Sequence, residues 1–417
     1  MKKKLISSLQ FILKLLSKAT INKFKPVIIA VTGSVGKTSS KEAIWSILKG
    51  QQNSRKTSAN FNNELGIPLA ILGDYQKISK PAWFFWIKVV LSSVFNILFK
   101  SKYFYPKILV LEYGADKPGD INKLVDIAKP HIAVISAIGK IPVHVENYPQ
   151  GIESVAKEKS KLISNLSTSD IAVLNADDPT ISKIEEKTRA KILTFGFSKN
   201  SFVRISNFKH LEEDGKIYGI AFKLENNGAS VPIILNGAFS VAHAYAAACA
   251  SCVALTFDIN LVGSANALAS YYKPIKGRSM IIDGIKESQI IDESYNSSPI
   301  ALETALISMK EIKNKRKLAV LGDMMELGNY TLEAHEFIGK IIPECLDVLI
   351  TVGSRAEFIA QSAIKNGMNK NFVFSFNNAQ DAGLKLQEII KKGDLVLVKG
   401  SRVVGLDKIV DEVKSAA

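Results

Sequence analysis

The chain has 417 residues, 47% hydrophobic and 22% charged, with a net charge of +15. That length suits two or three ordinary domains, and that balance excludes an intrinsically disordered chain. Three cysteines supply no disulfide framework and fit a reducing compartment. The excess charge is confined. Residues 1–107 hold 18 Lys/Arg against three acids (Glu42, Glu64, Asp74), while the remaining residues carry 36 of each sign. A chain that bound nucleic acid along its length would not look like this, so no nucleic-acid partner is expected. The first quarter is instead expected to meet an anionic partner.

Residues 1–26, MKKKLISSLQFILKLLSKATINKFKP, read as a basic amphipathic helix. Leu5, Leu9, Ile12 and Leu16 recur at helical spacing, with Lys14 and Lys18 on the other side. The start resembles a secretion signal, but the two lysines interrupt the apolar run and no small-residue cleavage site follows. From residue 27, strand-like runs (PVIIAVTG, KILVLEYG, HIAVISAIG, IAVLNADD) alternate with Lys/Glu-rich helical segments, which is the βαβ signature of a parallel sheet.

Interrupting this alternation is an apolar helical insertion, about 78–104, centred on AWFFWIKVVLSSVFNILF (82–99). Lys88, Ser92 and Asn96 form one polar stripe with Ser93 beside it, and the rest of the surface is apolar and aromatic. At 1.5 Å per residue the helix is about 27 Å long, marginal for crossing a bilayer. A basic helix with a broad apolar face fits a membrane interface. Packing on the protein or on residues 1–26, and a true span, are the alternatives.

A partly antiparallel stretch over 191–236 and an alanine-rich helix over 238–256 come next. Cys249 and Cys252 fall in that helix, among small residues, where buried packing explains them better than a redox pair. After YYKPIKGRS the alternation restarts (SQIIDES, KLAVLGDM, DVLITVG, FVFSF, DLVLVKGS). The chain is therefore expected to be α/β, with a mostly parallel central domain over 27–272 and a Rossmann-like C-terminal α/β domain over 273–417.

The strand PVIIAVTG runs into SVGKTS and a helix ending at Gly50. Gly33, Ser34, Val35, Gly36, Lys37, Thr38 and Ser39 thus form a strand-to-helix turn two residues shorter than the G-x-x-x-x-G-K-[ST] loop. Backbone N–H groups and the helix start can cradle phosphate there. Lys37 would reach the terminal phosphates, and the Thr38 hydroxyl would serve Mg²⁺. Glu112 ends a strand before a glycine turn, at the sheet edge where α/β proteins bind ligands, and is a natural Mg²⁺ ligand beside a nucleotide. His144 follows another strand end. On spacing alone a ligand role and a structural role are equally open.

Taken with NFNNELGIPLAIL (60–72), EYGADKPGDI (112–121), KPHIAVISAIG (129–139), SVAKEKSKLI (154–163), AVLNADDP (172–179), IIDESYNSSP (290–299), LAVLGDMMELG (318–328) and GDLVLVKGSR (393–402), the loop makes the chain resemble the Mur ligases. These are ATP-dependent amide ligases of peptidoglycan precursor synthesis. Their phosphate loop has the shorter T-G-x-x-G-K-[ST] form. The branch resembled most adds D-alanyl-D-alanine. The matches run in family order from residue 27 almost to the end.

The resemblance implies an ATP-dependent, ADP-forming reaction through an acyl phosphate, on a muramyl peptide and a D-Ala-D-Ala-like dipeptide, in the cytoplasm. It implies two Mg²⁺ ions, served by Thr38, Glu112, His144 and Lys159, with Lys159 carried as a carbamate. On spacing alone Lys159 reads as a solvated lysine among Lys157 and Lys161, and the match can slip to Lys157. Arg278 corresponds to an arginine near the phosphates, and Tyr295 and Asn296 to adenine-side positions. Glu293 stands where the family has aspartate, and Ser240 and His243 where it has asparagines. Asn60 and Asn63 are expected to position substrate and loop. Asp323, Glu326, Lys399, Ser401 and Arg402 are expected in loops that orient the incoming dipeptide.

The resemblance implies an N-terminal substrate-gripping domain, and with about 26 residues ahead of the ATPase core that domain is expected to be lacking. A peripheral position on the inner face of the plasma membrane, through residues 1–26 and 82–99, would fit. The alternatives are a Mur-like ligase for another acid, of poly-glutamyl or folate type, and a membrane-attached nucleotide-binding scaffold whose catalysis has decayed.

Overall fold

The computed structural model describes residues 2–50, 52–58 and 61–415. Asn60 lies outside the described residues. The first sheet draws on β1 (Val27–Thr32), β2 (Ser54–Lys56), β3 (Ile108–Glu112), β4 (Ile132–Ile135), β5 (Ile171–Asn175), β6 (Lys191–Gly196), β7 (Val203–Glu213), β8 (Lys216–Asn226) and β9 (Ala229–Asn236). Its order is β2-β3-β1-β4-β5-β6-β7-β8-β9, parallel from β2 through the β6–β7 pair and antiparallel from β7 to β9. β1 and β3 to β5 are apolar along almost their whole length because helices cover both faces, so they lack the alternation of a half-exposed strand.

The second sheet contains β10 (Met280–Asp283), β11 (Gln289–Glu293), β12 (Lys317–Gly322), β13 (Val348–Val352), β14 (Val373–Phe376) and β15 (Leu395–Lys399), in the order β10-β11-β15-β12-β13-β14. Only β10 pairs antiparallel. Helices again cover both faces. The carboxyl ends of β1, β3 and β4 and those of β11 and β15 border one cavity, so the two sheets present their ligand-binding edges to each other.

The helices of the first half include α1 (Lys2–Phe24), α2 (Lys37–Lys49), α3 (Gly66–Leu72), α4 (Ala82–Phe99), α5 (Asp120–Ile127) and α6 (Ile152–Ser164), of which α2 and α6 reach this edge. α2 starts at Gly36, whose φ of 80° suits glycine, and the chain turns out of the helix at Gly50. The helix Ala242–Leu255 packs on α2 with Cys249 and Cys252 fully buried, and burial pushes both thiols up, Cys249 to about 12. Buried packing thus accounts for the C-x-x-C spacing.

The expected faces of the two apolar helices need correction. α1 buries Leu13, Ser17, Thr20 and Phe24, with Leu9 and Leu16 partly covered, but leaves Leu5 and Ile12 in solvent. Lys14 and Lys18 both pair with Asp126 of α5. α4 buries Phe85, Val89 and Ser93, with Phe85 and Val89 against Leu13, Leu69 and Leu72 in a satellite cluster apart from the main cores on the sheet faces. At about 1.5–3 kcal/mol for each buried large apolar side chain, this cluster pins both helices to the domain.

Candidate active site

The phosphate-loop turn is held by its neighbour strand. Ser34 N donates to the Ala137 carbonyl at 2.6 Å, and Ser136 Oγ donates to the Val35 carbonyl. Gly33 passes so close to that strand end that a Cβ on it would lie 2.3 Å from Ser136 Oγ, at a φ of 150°. Glycine is therefore required there by approach and by backbone shape. Lys37 curls back onto the loop and donates to the Gly33 carbonyl at 2.8 Å and the Ser34 carbonyl at 3.2 Å. Burial lowers its pKa, against the opposing pull of Glu112.

Glu112 is buried at the end of β3. Asn62 Nδ2 approaches its Oε1 at 3.4 Å, and Lys41 Nζ stands 3.3 Å from Oε2, an oxygen that lacks a well-aligned hydrogen-bond donor. Burial pushes the Glu112 carboxyl up, but Lys41, Lys37 and Arg278, with a hydrogen bond from Thr38, together outweigh it and hold the group below its ordinary value. Lys159 is 2% exposed on α6 and donates to the Gly33 carbonyl at 3.1 Å, whereas Lys157 is exposed. Burial, then the nearby Lys37, drops Lys159 from 10.5 to about 7, so much of it is neutral near neutral pH. The solvated reading of Lys159 is overturned because α6 turns this residue, and not Lys157, under the phosphate loop.

His144 lines the same cavity but is engaged elsewhere. Its Nδ1 is 2.9 Å from Glu326 Oε2, its Nε2 is 3.4 Å from Asp116 Oδ1, and both His144 and Glu326 have left-handed backbone (φ 65° and 64°). Two non-glycine residues in that region signal positions over-determined by their surroundings. Beside them Val145, Tyr148 and Val155 pack with Tyr330, so contacts between the two halves of the molecule hold the loop. Among the described residues, no three His, Cys, Asp or Glu side chains converge as a ready metal cluster.

From the second sheet and the loops at its edge come Arg278, Glu293, Tyr295, Asn296 and Lys399, which line the cavity of about 970 Å³ together with Lys37, Thr38 and Glu112. The guanidinium carbons of Arg278 and Arg402 lie 4.4 and 5.6 Å from the Tyr295 ring centroid. Glu293 pairs with Lys399 at 2.8 Å, and Lys399 also donates to the Asn296 carbonyl at 3.1 Å.

Three residues expected at the substrate brace loops in this structure, which for Asn63 is the loop half of its expected role. Asp323 accepts from the backbone of Arg355 and Ala356, Ser401 Oγ accepts from Met325 N, and Asn63 Oδ1 accepts from Leu65 N and Gly66 N at the start of α3. The unusual His243 is fully buried, with Nδ1 2.8 Å from the Tyr272 hydroxyl and Nε2 3.2 Å from the Ser279 carbonyl. Burial lowers its pKa. Ser240 N donates to Ser279 Oγ. The His243 side chain thus ties its helix to the 272–279 segment at the cavity wall, while Ser240 Oγ accepts from Ala242 N at the helix start.

Sequence reasoning missed Lys41 and Asn62. Lys41 stands one helical turn beyond Lys37, a spacing that could have marked it. Asn62 lies between the two asparagines that were singled out and carries no separate signal.

Fold and cavity together define a nucleotide-binding α/β protein whose phosphate loop is faced by a second parallel sheet. Two family models match the chain, the Mur ligase middle domain over residues 96–251 and the "Mur ligase, glutamate ligase domain" over residues 277–402. The chain is 30% identical over 399 residues to the UDP-N-acetylmuramoyl-tripeptide--D-alanyl-D-alanine ligase of Rickettsia prowazekii, covering 93% of this chain and 78% of that protein. It is 28% identical over 408 residues to the Bacillus subtilis enzyme of the same name, covering 96% and 79%. The MurF ligase of Thermotoga maritima, solved with ADP, superposes with a TM-score of 0.77 at 26% identity over 97% of this chain and 83% of that one. An Acinetobacter baumannii MurF gives 0.77 at 23%, covering 96% and 79%. The chain belongs to the Mur ligase family.

Proposed function

We propose that the protein is an ATP-dependent, ADP-forming amide ligase of peptidoglycan precursor synthesis, adding a D-alanyl-D-alanine-type dipeptide to the carboxylate of a muramyl peptide in the cytoplasm. The observation that carries this reading is the convergence of the phosphate loop, Lys37, Thr38, Glu112 and Arg278 on one cavity between the two sheets, in a chain with this ancestry. Residues 27–272 are taken as the nucleotide-binding domain and residues 273–417 as the domain that closes over it.

The acceptor carboxylate attacks the γ-phosphorus, giving an acyl phosphate and ADP. The dipeptide amine then attacks the acyl carbon, and phosphate leaves. Both steps bring like charges together, so catalysis is mostly neutralisation and alignment. The loop N–H groups, Lys37 and Arg278 meet the phosphates. Tyr295, held under two guanidinium groups, and Asn296 face the nucleotide's other end. Lys399 and Arg402 border the approach of the dipeptide.

The donor chemistry suits Mg²⁺: the Thr38 hydroxyl, and a buried Glu112 whose Oε2 lacks a well-aligned donor. A bound ion would supply charge neutralisation there. His144 would join only when its contact with Glu326 opens. Lys159, its pKa lowered to about 7 by burial and by Lys37, offers an amine competent for CO₂, and a carbamate would place an anion facing Lys37. Attachment of residues 1–26 and 82–99 to the inner face of the plasma membrane is independent of this chemistry.

The test is phosphate release from ATP and Mg²⁺ with UDP-muramyl tripeptide and D-Ala-D-Ala. Release is expected, and Lys37→Ala should abolish it. No release with any muramyl acceptor, soluble or lipid-linked, refutes the reading.

A further inference from the structure

The ligase chemistry leaves the outer face of α1 and α4 without a role. α4 is inside out for a helix in water. Its solvent side carries Trp83 (67% exposed), Phe84, Leu91, Phe95, Leu98 and Phe99 (71%), while Ser93 is buried and Ser92 is half-buried. The inward hydroxyls are satisfied internally, Ser93 Oγ donating to the Val89 carbonyl and Ser92 Oγ lying 2.9 Å from the Tyr75 hydroxyl. A surface helix in water turns its apolar stripe inward, and a contiguous exposed apolar face marks an interaction site. Beside it α1 exposes Leu5, Phe11 and Leu15.

Charge identifies the occupant. Between Asp74 and Glu112 the chain carries six lysines and no acid, and Lys77, Lys80, Lys88 and Lys102 are exposed. A second copy seated on this face would bring two lysine rims together with no carboxylate from the segment to pair them, whereas an anionic bilayer offers apolar depth under a negative rim. Crossing the bilayer is disfavoured by the fold. α4, by length and composition able to span, is pinned along Phe85 and Val89 to Leu13, Leu69 and Leu72. Lys23 of α1 donates to the Ile97 carbonyl at 2.6 Å and holds the far end of α4 down as well.

We propose that α1 and α4 form an in-plane docking face for an anionic lipid bilayer, the aromatic and aliphatic side chains of α4 entering the acyl boundary and the surrounding lysines meeting lipid phosphates.

The test floats the full chain with phosphatidylcholine vesicles, with and without phosphatidylglycerol. Flotation is expected only with phosphatidylglycerol, weakening as salt rises. Lys77→Gln, Lys80→Gln and Lys88→Gln should each weaken partitioning about five-fold. The double variant Phe84→Ser/Phe95→Ser should lose flotation while keeping the wild-type melting curve and phosphate-release activity, so failure here is separable from failure of the ligase reading. The proposal is overturned by no flotation at low salt, by flotation that the double variant retains, or by resistance to both salt and carbonate extraction, which would mean a span. A dimer that the double variant abolishes, with no lipid binding, would assign the face to a second copy and equally overturn it.

Discussion

Lys159→Met should remove a pH dependence of stability that the native fold carries between about pH 7 and pH 10. The lysine is buried under the phosphate loop, and burial with the neighbouring Lys37 drops its pKa from 10.5 to about 7. In this window the unfolded chain holds a proton that the folded chain has released, so stability must rise with pH. The penalty for the charged form is full below about pH 7 and is relieved as pH approaches 10.5. At about 1.4 kcal/mol per pH unit the whole effect is on the order of 5 kcal/mol, with roughly 3 kcal/mol of it expressed between about pH 6.5 and 9.5.

The assay is urea unfolding of both proteins in CO₂-free buffer across that range. Titrations elsewhere are common to both, so the difference isolates residue 159. The native protein should gain on the variant as pH rises. Parallel curves would refute the burial argument. Returning ¹³C-bicarbonate should then give a carbamate carbonyl signal in the native protein that the variant lacks.

Gly33→Ala would place a Cβ 2.3 Å from Ser136 Oγ at an unfavourable φ, and should lower stability by about 1–3 kcal/mol and weaken ADP binding, read by thermal melts and calorimetric titration. Glu112→Gln should slow phosphate release by roughly a hundred-fold or more. Because the Glu112 carboxyl is held below its ordinary value, its stabilisation is present above about pH 4.5 and lost as pH falls, so the variant's stability should fall less steeply with acid. Glu326→Gln removes the partner of His144 and should speed proteolytic nicking around residues 140–150 while leaving ADP affinity unchanged. Tyr295→Ala takes the ring from beneath Arg278 and Arg402 and should weaken nucleotide binding about five- to ten-fold in the same titration.

Much of the molecule was legible before its structure. The alternating strands, the glycine turn with Lys37 and Thr38, and the strand-end position of Glu112 are local features, set by side-chain periodicity and by what a tight turn requires of the residues within it. Residues joined only in three dimensions were not legible. Nothing adjacent in sequence says that Lys41 reaches Glu112, that Glu326 captures His144, or that Asp323 and Ser401 brace loops and do not line the cavity.

The amphipathic helices mark the boundary most sharply. Composition alone shows that residues 82–99 are apolar with a polar stripe and that the first quarter holds the chain's excess charge. Which stripe faces inward was decided by Leu13, Leu69 and Leu72, which hold Phe85 and Val89 and leave the broader aromatic face outside. The same holds for Lys159. Its sequence neighbours make it one lysine among three, and only the packing of α6 beneath the phosphate loop strips its water and lowers its pKa. Periodicity is written in neighbours along the chain, whereas burial and charge state depend on segments that meet only when the chain folds.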